Sequence, residues 1–253
     1  SGDSNKPKIT VRHLLTHTSG LAAGVRRGYE WSGSKDGFAL AAGEPSRSLA
    51  GFSYQYSDLN FILLGEIVAR VTGMPLQDYC WKEIFLPLGM NQTFFLPDPK
   101  LEGRIAPTTL LEDGSLLRGI VHDPTSRRMG GVAGHAGLFS TVDDLARFAQ
   151  MLLNGGGGVL KPETISLMTS VQSPANIESR RGLGFDIDST YSSLRGDLFP
   201  KGSFGHTGWT GTSMWIDPTS ESFVIFLSNR NHPSGGDVIA LRKDLGTLAA
   251  KAT

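Results

Sequence analysis

The chain has 253 residues, 39% of them hydrophobic and 19% charged, which is enough apolar material for one large domain or two lobes around a sizeable core. Its 24 basic and 24 acidic residues cancel, so no net field draws in nucleic acid or an anionic membrane surface. Cys80 is the only cysteine, which excludes an intrachain disulfide and a cysteine-based zinc site; no apolar run approaches the roughly 18 residues of a membrane span, and no signal-peptide pattern opens the chain.

In chain order, Ile9 to Leu21 reads as a short helix capped by Thr10 and stopped at Gly20, with Thr16-His17-Thr18-Ser19 as a hydrogen-bonded turn. Residues 21–51 are rich in Gly, Ser and Ala without periodicity and predict a long covering loop. Inside it lies Ser32-Gly33-Ser34-Lys35, the one Ser-x-x-Lys spacing in the chain. On a helix that spacing sets an amine beside a hydroxyl and makes a nucleophile. Gly33 and Gly37 argue against a helix here, so Ser32 is not expected to react.

Tyr56-Ser57-Asp58 precedes a helix capped by Ser57 or Asp58, in which Leu59, Ile62, Leu63, Ile67 and Val71 recur at helical spacing until Gly73. Met74-Pro75 opens a further helix through Phe85. Residues 91–119 read as a polar connection. His122-Asp123 and His135, the latter in a glycine-rich string from Gly130 to Gly137, allow two readings. One is a metal site, although no His-x-x-x-His spacing puts two ligands on one helix face; the other is a substrate-pocket loop. Thr141 with Asp144 then caps a helix carrying Leu145, Phe148, Ala149 and Leu152.

After Gly155–Gly158, which lacks the Gly-Lys-Ser/Thr ending of a phosphate loop, a helix is predicted from Lys161 through Met168. Arg181 to Asp188 begins the sheet. Met214 and Ile216 alternate with Ser213 and Trp215, and Ser222 to Leu227 forms an apolar run beyond the turn residues Pro218 to Glu221. These predict two antiparallel strands, with His206-Thr207-Gly208 on the first of them. Val238, Ile239, Leu241, Leu245 and Leu248 predict a final amphipathic helix.

Together and in this order, these segments resemble the serine β-lactamase, penicillin-binding protein and related esterase family. His206-Thr207-Gly208 is similar to the Lys-Thr-Gly or His-Thr-Gly strand that walls the family's active site. Tyr56-Ser57-Asp58 is similar to its Tyr-Ser-Asn or Tyr-Ala-Asn motif, in which the tyrosine shares proton transfer and the amide positions substrate. Asp58 departs from that motif by removing two hydrogen-bond donors. Thr10 to Leu21 resembles a scaffold segment packed beneath the site.

The resemblance implies an α+β, β-lactamase-like fold without its N-terminal part: a helical lobe over residues 1–171 and a sheet lobe with a C-terminal helix over 172–253. It implies Tyr56, Asp58 and His206 as catalytic residues, and Thr207, Gly208, Trp209, His135 and Asn231 as substrate contacts, with no metal and no cofactor. The substrate would be a small molecule or peptide bearing an ester, amide or lactam carbonyl. In the family a Ser-x-x-Lys helix lies some tens of residues before a segment like Thr10 to Leu21. The implied partner is therefore an N-terminal fragment of the same fold carrying that motif, and the chain alone is expected to be inactive. A periplasmic or secreted location follows from the resemblance only. Two alternatives stay open: a catalytically inactive ligand-binding relative, and a metal-dependent hydrolase using His122, Asp123 and His135.

Overall fold

Helix α3, Asp58–Thr72, runs through the first of two apolar clusters, and its start fixes the position of Tyr56. The computed structural model describes residues 3–26, 28 and 30–253. Ser57 is the N-cap of α3 and Gly73, in the left-handed region at φ 69°, closes it, as the capping chemistry predicts. Leu59 and Ile62 on its inner face are 0% and 2% exposed, and each contributes about 1.5–3 kcal/mol by burial. They pack against Leu14 of α1 (Val11–Leu15), Ala41 of α2 (Ser34–Gly43), and Met129 and Ala133 beyond α5 (Pro124–Arg128).

Two sequence expectations are corrected in this part. The predicted loop over residues 21–51 contains α2. Gly33, at φ 89°, turns the chain immediately before it, and the Phe38-Ala39-Leu40-Ala41-Ala42 run supplies strong helix formers. Gly37 is tolerated because α2 comes close to α5 here; a Cβ would lie 2.6 Å from Met129 Cγ. Ser32 precedes the N-cap while Lys35 is in the first turn, so the pair does not share a helical turn. The first helix ends at Leu15 instead of near Gly20, since Thr16 donates its hydroxyl to Arg12 O and His17 takes a left-handed φ of 56°.

The Met74-Pro75 helix is present as α4 (Leu76–Cys80), continuing as a wider π turn over Trp81–Phe85. Residues 91–119 hold a hairpin of β1 (Thr109–Leu110) and β2 (Leu116–Leu117). Helix α6 (Val142–Leu153) is capped by the Thr141 side chain, which accepts from Asp144 N–H.

The larger sheet is antiparallel throughout, in the order β3 (Arg180–Arg181), β4 (Asp186–Asp188), β5 (Phe204–Thr207), β6 (Ser213–Asp217), β7 (Ser222–Phe226). His206 and Thr207 thus lie on β5, one strand before the predicted pair, facing Met214 and Ser213 across the ladder. Glycines caused the difference: Gly208 donates to Thr212 O at 2.7 Å and closes a tight hairpin that strand periodicity does not reveal. The second apolar cluster joins Phe204 and Ile216 of the sheet to Ala149 and Leu152 of α6 and Ile165 of α7 (Pro162–Thr169). Helix α8 (Ile239–Lys251) packs on β7. Among the described residues no single helix is long and apolar enough to cross a membrane.

Candidate active site

A cleft of about 180 Å³ separates the start of α3 from the sheet, lined by Tyr56, Arg181, Asp186, Tyr191, His206, Thr207 and Trp209. Two expected catalytic residues therefore meet here. The rings of Tyr56 and His206 lie 6.0 Å apart. A second hollow of about 360 Å³ between α2, α3 and residues 129–134 is lined chiefly by apolar side chains and holds none of the expected site residues.

Tyr56 is held from beneath by His17. The two rings are 4.3 Å apart and tilted by 31°, and Phe61 flanks His17 at 5.1 Å. His17 Nδ1 accepts the Ser57 N–H at 3.0 Å, which fixes the residue after Tyr56 and leaves the proton of a neutral ring on Nε2. Burial, then the nearby charges of Arg181 and His206, push the His17 pKa down to about 3. The sequence put this residue in the Thr10 to Leu21 segment expected beneath the site, without a contact to Tyr56. Its left-handed backbone and buried aromatic neighbours carry no local signature.

Asn60, the other amide near the motif, is fully buried; its Oδ1 accepts from Ser19 Oγ at 2.6 Å and its Nδ2 faces His17 at 3.4 Å. It does not line the cleft. The Tyr56 phenol is pushed up to about 12 by burial and then by the Asp58 carboxylate.

On the sheet side, His206 lies against its own backbone, with Nδ1 2.9 Å from Thr207 O. Burial, reinforced by the Arg181 charge, lowers its pKa, so the ring is neutral at pH 7. Arg181 is a residue whose part in the site sequence reasoning passed over. It is 1% exposed, with Nη1 3.7 Å from Asp186 Oδ2 and with Nε and Nη2 unpartnered. Asp186 meanwhile accepts the hydroxyls of Ser189 and Ser192 at 2.8 and 2.9 Å. The cleft thus has a fixed cation beneath it.

The β5–β6 hairpin presents the Trp209 amide. A Cβ on Gly208 would lie 2.2 Å from Thr212 Oγ1, so any other residue here would force the Thr212 side chain to shift. Arg242 reaches across from α8 and donates Nη2 to Gly208 O at 2.8 Å and to Thr212 O at 2.6 Å. In a trans peptide C=O and N–H point oppositely; drawing Gly208 O toward α8 therefore turns the Trp209 N–H the other way. Among the described residues no oxygen accepts that N–H.

His135 and Asn231 do not line the cleft. Asn231 Nδ2 is 3.3 Å from His122 Nε2, and His122 packs edge-on to Trp209 at 5.1 Å, so Asn231 backs the wall at one remove. His135 is buried with Nε2 2.9 Å from Asp123 Oδ1. Gly134 brings it there by touching α3, where a Cβ would lie 2.0 Å from Phe61 O. Asp58 is turned to the same place: one ligand atom from each of Asp58, Asp123 and His135 lies within 4.8 Å of the others. Burial raises the Asp58 pKa. Burial also acts to raise Asp123, but its hydrogen bonds from His135 and the Ser126 amide outweigh that and hold it low. His122 is outside this cluster.

With this geometry in place, the comparisons identify the class. The profile of the Beta-lactamase family matches residues 1–248, and the chain belongs to that family. It is 34% identical over 269 residues to an Escherichia coli K12 protein named "Putative D-alanyl-D-alanine carboxypeptidase", covering 93% of this chain and 60% of that protein. The chain thus spans less than two thirds of that relative's length. A β-lactamase structure from Mycobacterium bovis superposes with a TM-score of 0.67 at 26% identity, over 97% of this chain and 73% of the other. Simvastatin synthase from Aspergillus terreus, at TM-score 0.71 and 23% identity over 96% of this chain and 69% of that one, shares the fold. The α+β, β-lactamase-like fold expected from the motifs is the fold of this chain, and its family and homologue names are those of hydrolases.

Proposed function

We propose that this chain forms the substrate-walling part of a serine acyl-transfer hydrolase. A Ser-x-x-Lys segment supplied from outside the chain would provide the nucleophile. The observation that carries the reading is the approach of Tyr56 to His206 beside an unengaged Trp209 N–H. In the reaction, the serine hydroxyl attacks an ester, amide or lactam carbonyl while its proton passes to the Tyr56–lysine pair. The oxyanion is held by the Trp209 N–H and the serine's own N–H, the leaving group takes the proton, and water hydrolyses the acyl-enzyme.

A phenol held at about 12 is a poor base by itself. A lysine ammonium beside it would lower that value, since an opposite charge within about 4–6 Å favours the phenolate. Thr207 and Gly208 would border the acyl group's polar end, and Asp58 would act on substrate through the wall it shares with Asp123 and His135. The name of the Escherichia coli relative supports a D-alanyl-D-alanine peptide as one substrate.

The test is covalent labelling with an activated ester and a reporter β-lactam, followed by peptide mapping. The chain alone should remain unlabelled. The full-length protein should carry the acyl group on a serine outside this sequence. Stoichiometric labelling of Ser32 would refute the proposal, as would a full-length protein that resists acylation by both probes.

A further inference from the structure

We propose that Asp58, Asp123 and His135 form a binding site for a first-row divalent cation, with Zn²⁺ the best-matched probe, at the helical wall of the cleft. The three ligand atoms already lie within 4.8 Å of one another. Tetrahedral zinc with bonds of about 2.0–2.2 Å needs its ligands roughly 3.3–3.6 Å apart. Asp123 Oδ1 and His135 Nε2, now 2.9 Å apart, would exchange their hydrogen bond for two bonds to the ion, and the Asp58 carboxylate would move in toward them.

The three residues come from separate, well-anchored elements. Asp58 is in the first turn of α3, Asp123 is the N-cap of α5 and accepts the Ser126 N–H at 2.7 Å, and His135 is set by the contact of Gly134 with α3.

One further observation points to an absent ligand. The partly buried Asp58 carboxylate accepts no hydrogen bond among the described residues and faces a second carboxylate beside the His135 side chain, itself 4% exposed. A cation held by Nε2 of that ring answers it. One imidazole and two carboxylates suit Zn²⁺ or Mn²⁺ better than Ca²⁺, which takes 6–8 oxygens. A bound ion would tie α3 to two loops and cancel the negative charge behind the cleft. The set keeps Asp123 and His135 of the metal alternative raised by the sequence and exchanges His122 for Asp58.

The proposal does not depend on the acyl-transfer reading, because its readout is ion binding. Chelator-treated chain is titrated with ZnCl₂ by calorimetry. We expect one saturable site per chain, weakened about tenfold or more by Asp58→Asn and by His135→Gln. His122→Ala and His13→Ala, the latter at the start of α1, should bind as the parent does. Circular dichroism checks each variant; if His135→Gln does not fold, the near-isosteric Asp58→Asn decides. No saturable binding below about 1 mM, or binding that survives Asp58→Asn, overturns the proposal, and equal affinity for Ca²⁺ overturns the choice of ion.

Discussion

Tyr56 and His206 face each other at 6.0 Å across the cleft from opposite apolar clusters: Tyr56 stands on the start of α3, and His206 on the central strand β5. Neither cluster alone builds the site. A substitution at either ring therefore tests the approach of the two halves as well as the chemistry.

In the full-length protein, Tyr56→Phe should lower kcat for an ester substrate by about 10²–10⁴-fold, the usual worth of a positioned proton carrier. KM should change little. Steady-state kinetics with burst analysis separates this from a packing defect, which would raise KM as well.

Protonation of His17 should govern acid stability. Unfolded, the imidazole titrates near about 6.5; folded, it is held down to about 3 by burial, Arg181 and His206. Between those values the unfolded chain binds the extra proton. Stability is therefore full above about pH 6.5 and falls as pH drops toward 3, by about 1.4 kcal/mol per pH unit for this one group. Urea denaturation at stepped pH should show that slope reduced in His17→Asn. The variant should also be less stable at pH 7, by about 1–3 kcal/mol, through loss of the imidazole that accepts the Ser57 N–H.

The buried Arg181 charge helps to keep His206 neutral. In Arg181→Met the His206 pKa should rise, with Arg181→Lys intermediate, as read from imidazole resonances in NMR titrations. An unchanged His206 titration would mean that desolvation alone sets its state.

A neutral His206 gives little attraction to a substrate carboxylate. His206→Lys in the full-length protein should raise kcat/KM for a cephalosporin roughly tenfold, about 1.4 kcal/mol of transition-state stabilisation, relative to a neutral ester. An equal effect on both substrates would remove charge from the explanation.

Arg242→Ala should remove both carbonyl contacts that orient the hairpin. A loss of about 1.5–3 kcal/mol of stability is expected for hydrogen bonds from a charged donor. In the full-length protein kcat should fall with it, because the Trp209 N–H is no longer aimed. Lysine at this position should rescue stability in part and kcat less, since it lacks the planar fork.

The sequence by itself determined the family and most of the element order, because those depend on local signals. Helical spacing from Leu59 to Val71, the Gly73 stop, the Thr141 cap and the alternation at Ser213–Ile216 are each written in a few consecutive residues. The same locality explains the misplacements: Gly33 and Gly37 count against a helix by propensity, whereas tertiary packing of α2 on Met129 favours one. Likewise the tight β5–β6 hairpin depends on what Gly208 meets across the turn at Thr212. Only the tertiary structure decided that His17 supports Tyr56, that Arg181 charges the cleft floor, that Arg242 aims the Trp209 amide, and that Asp58 joins Asp123 and His135. Those relationships link residues far apart in the chain through burial and electrostatics, and neither quantity exists until the two apolar clusters have formed.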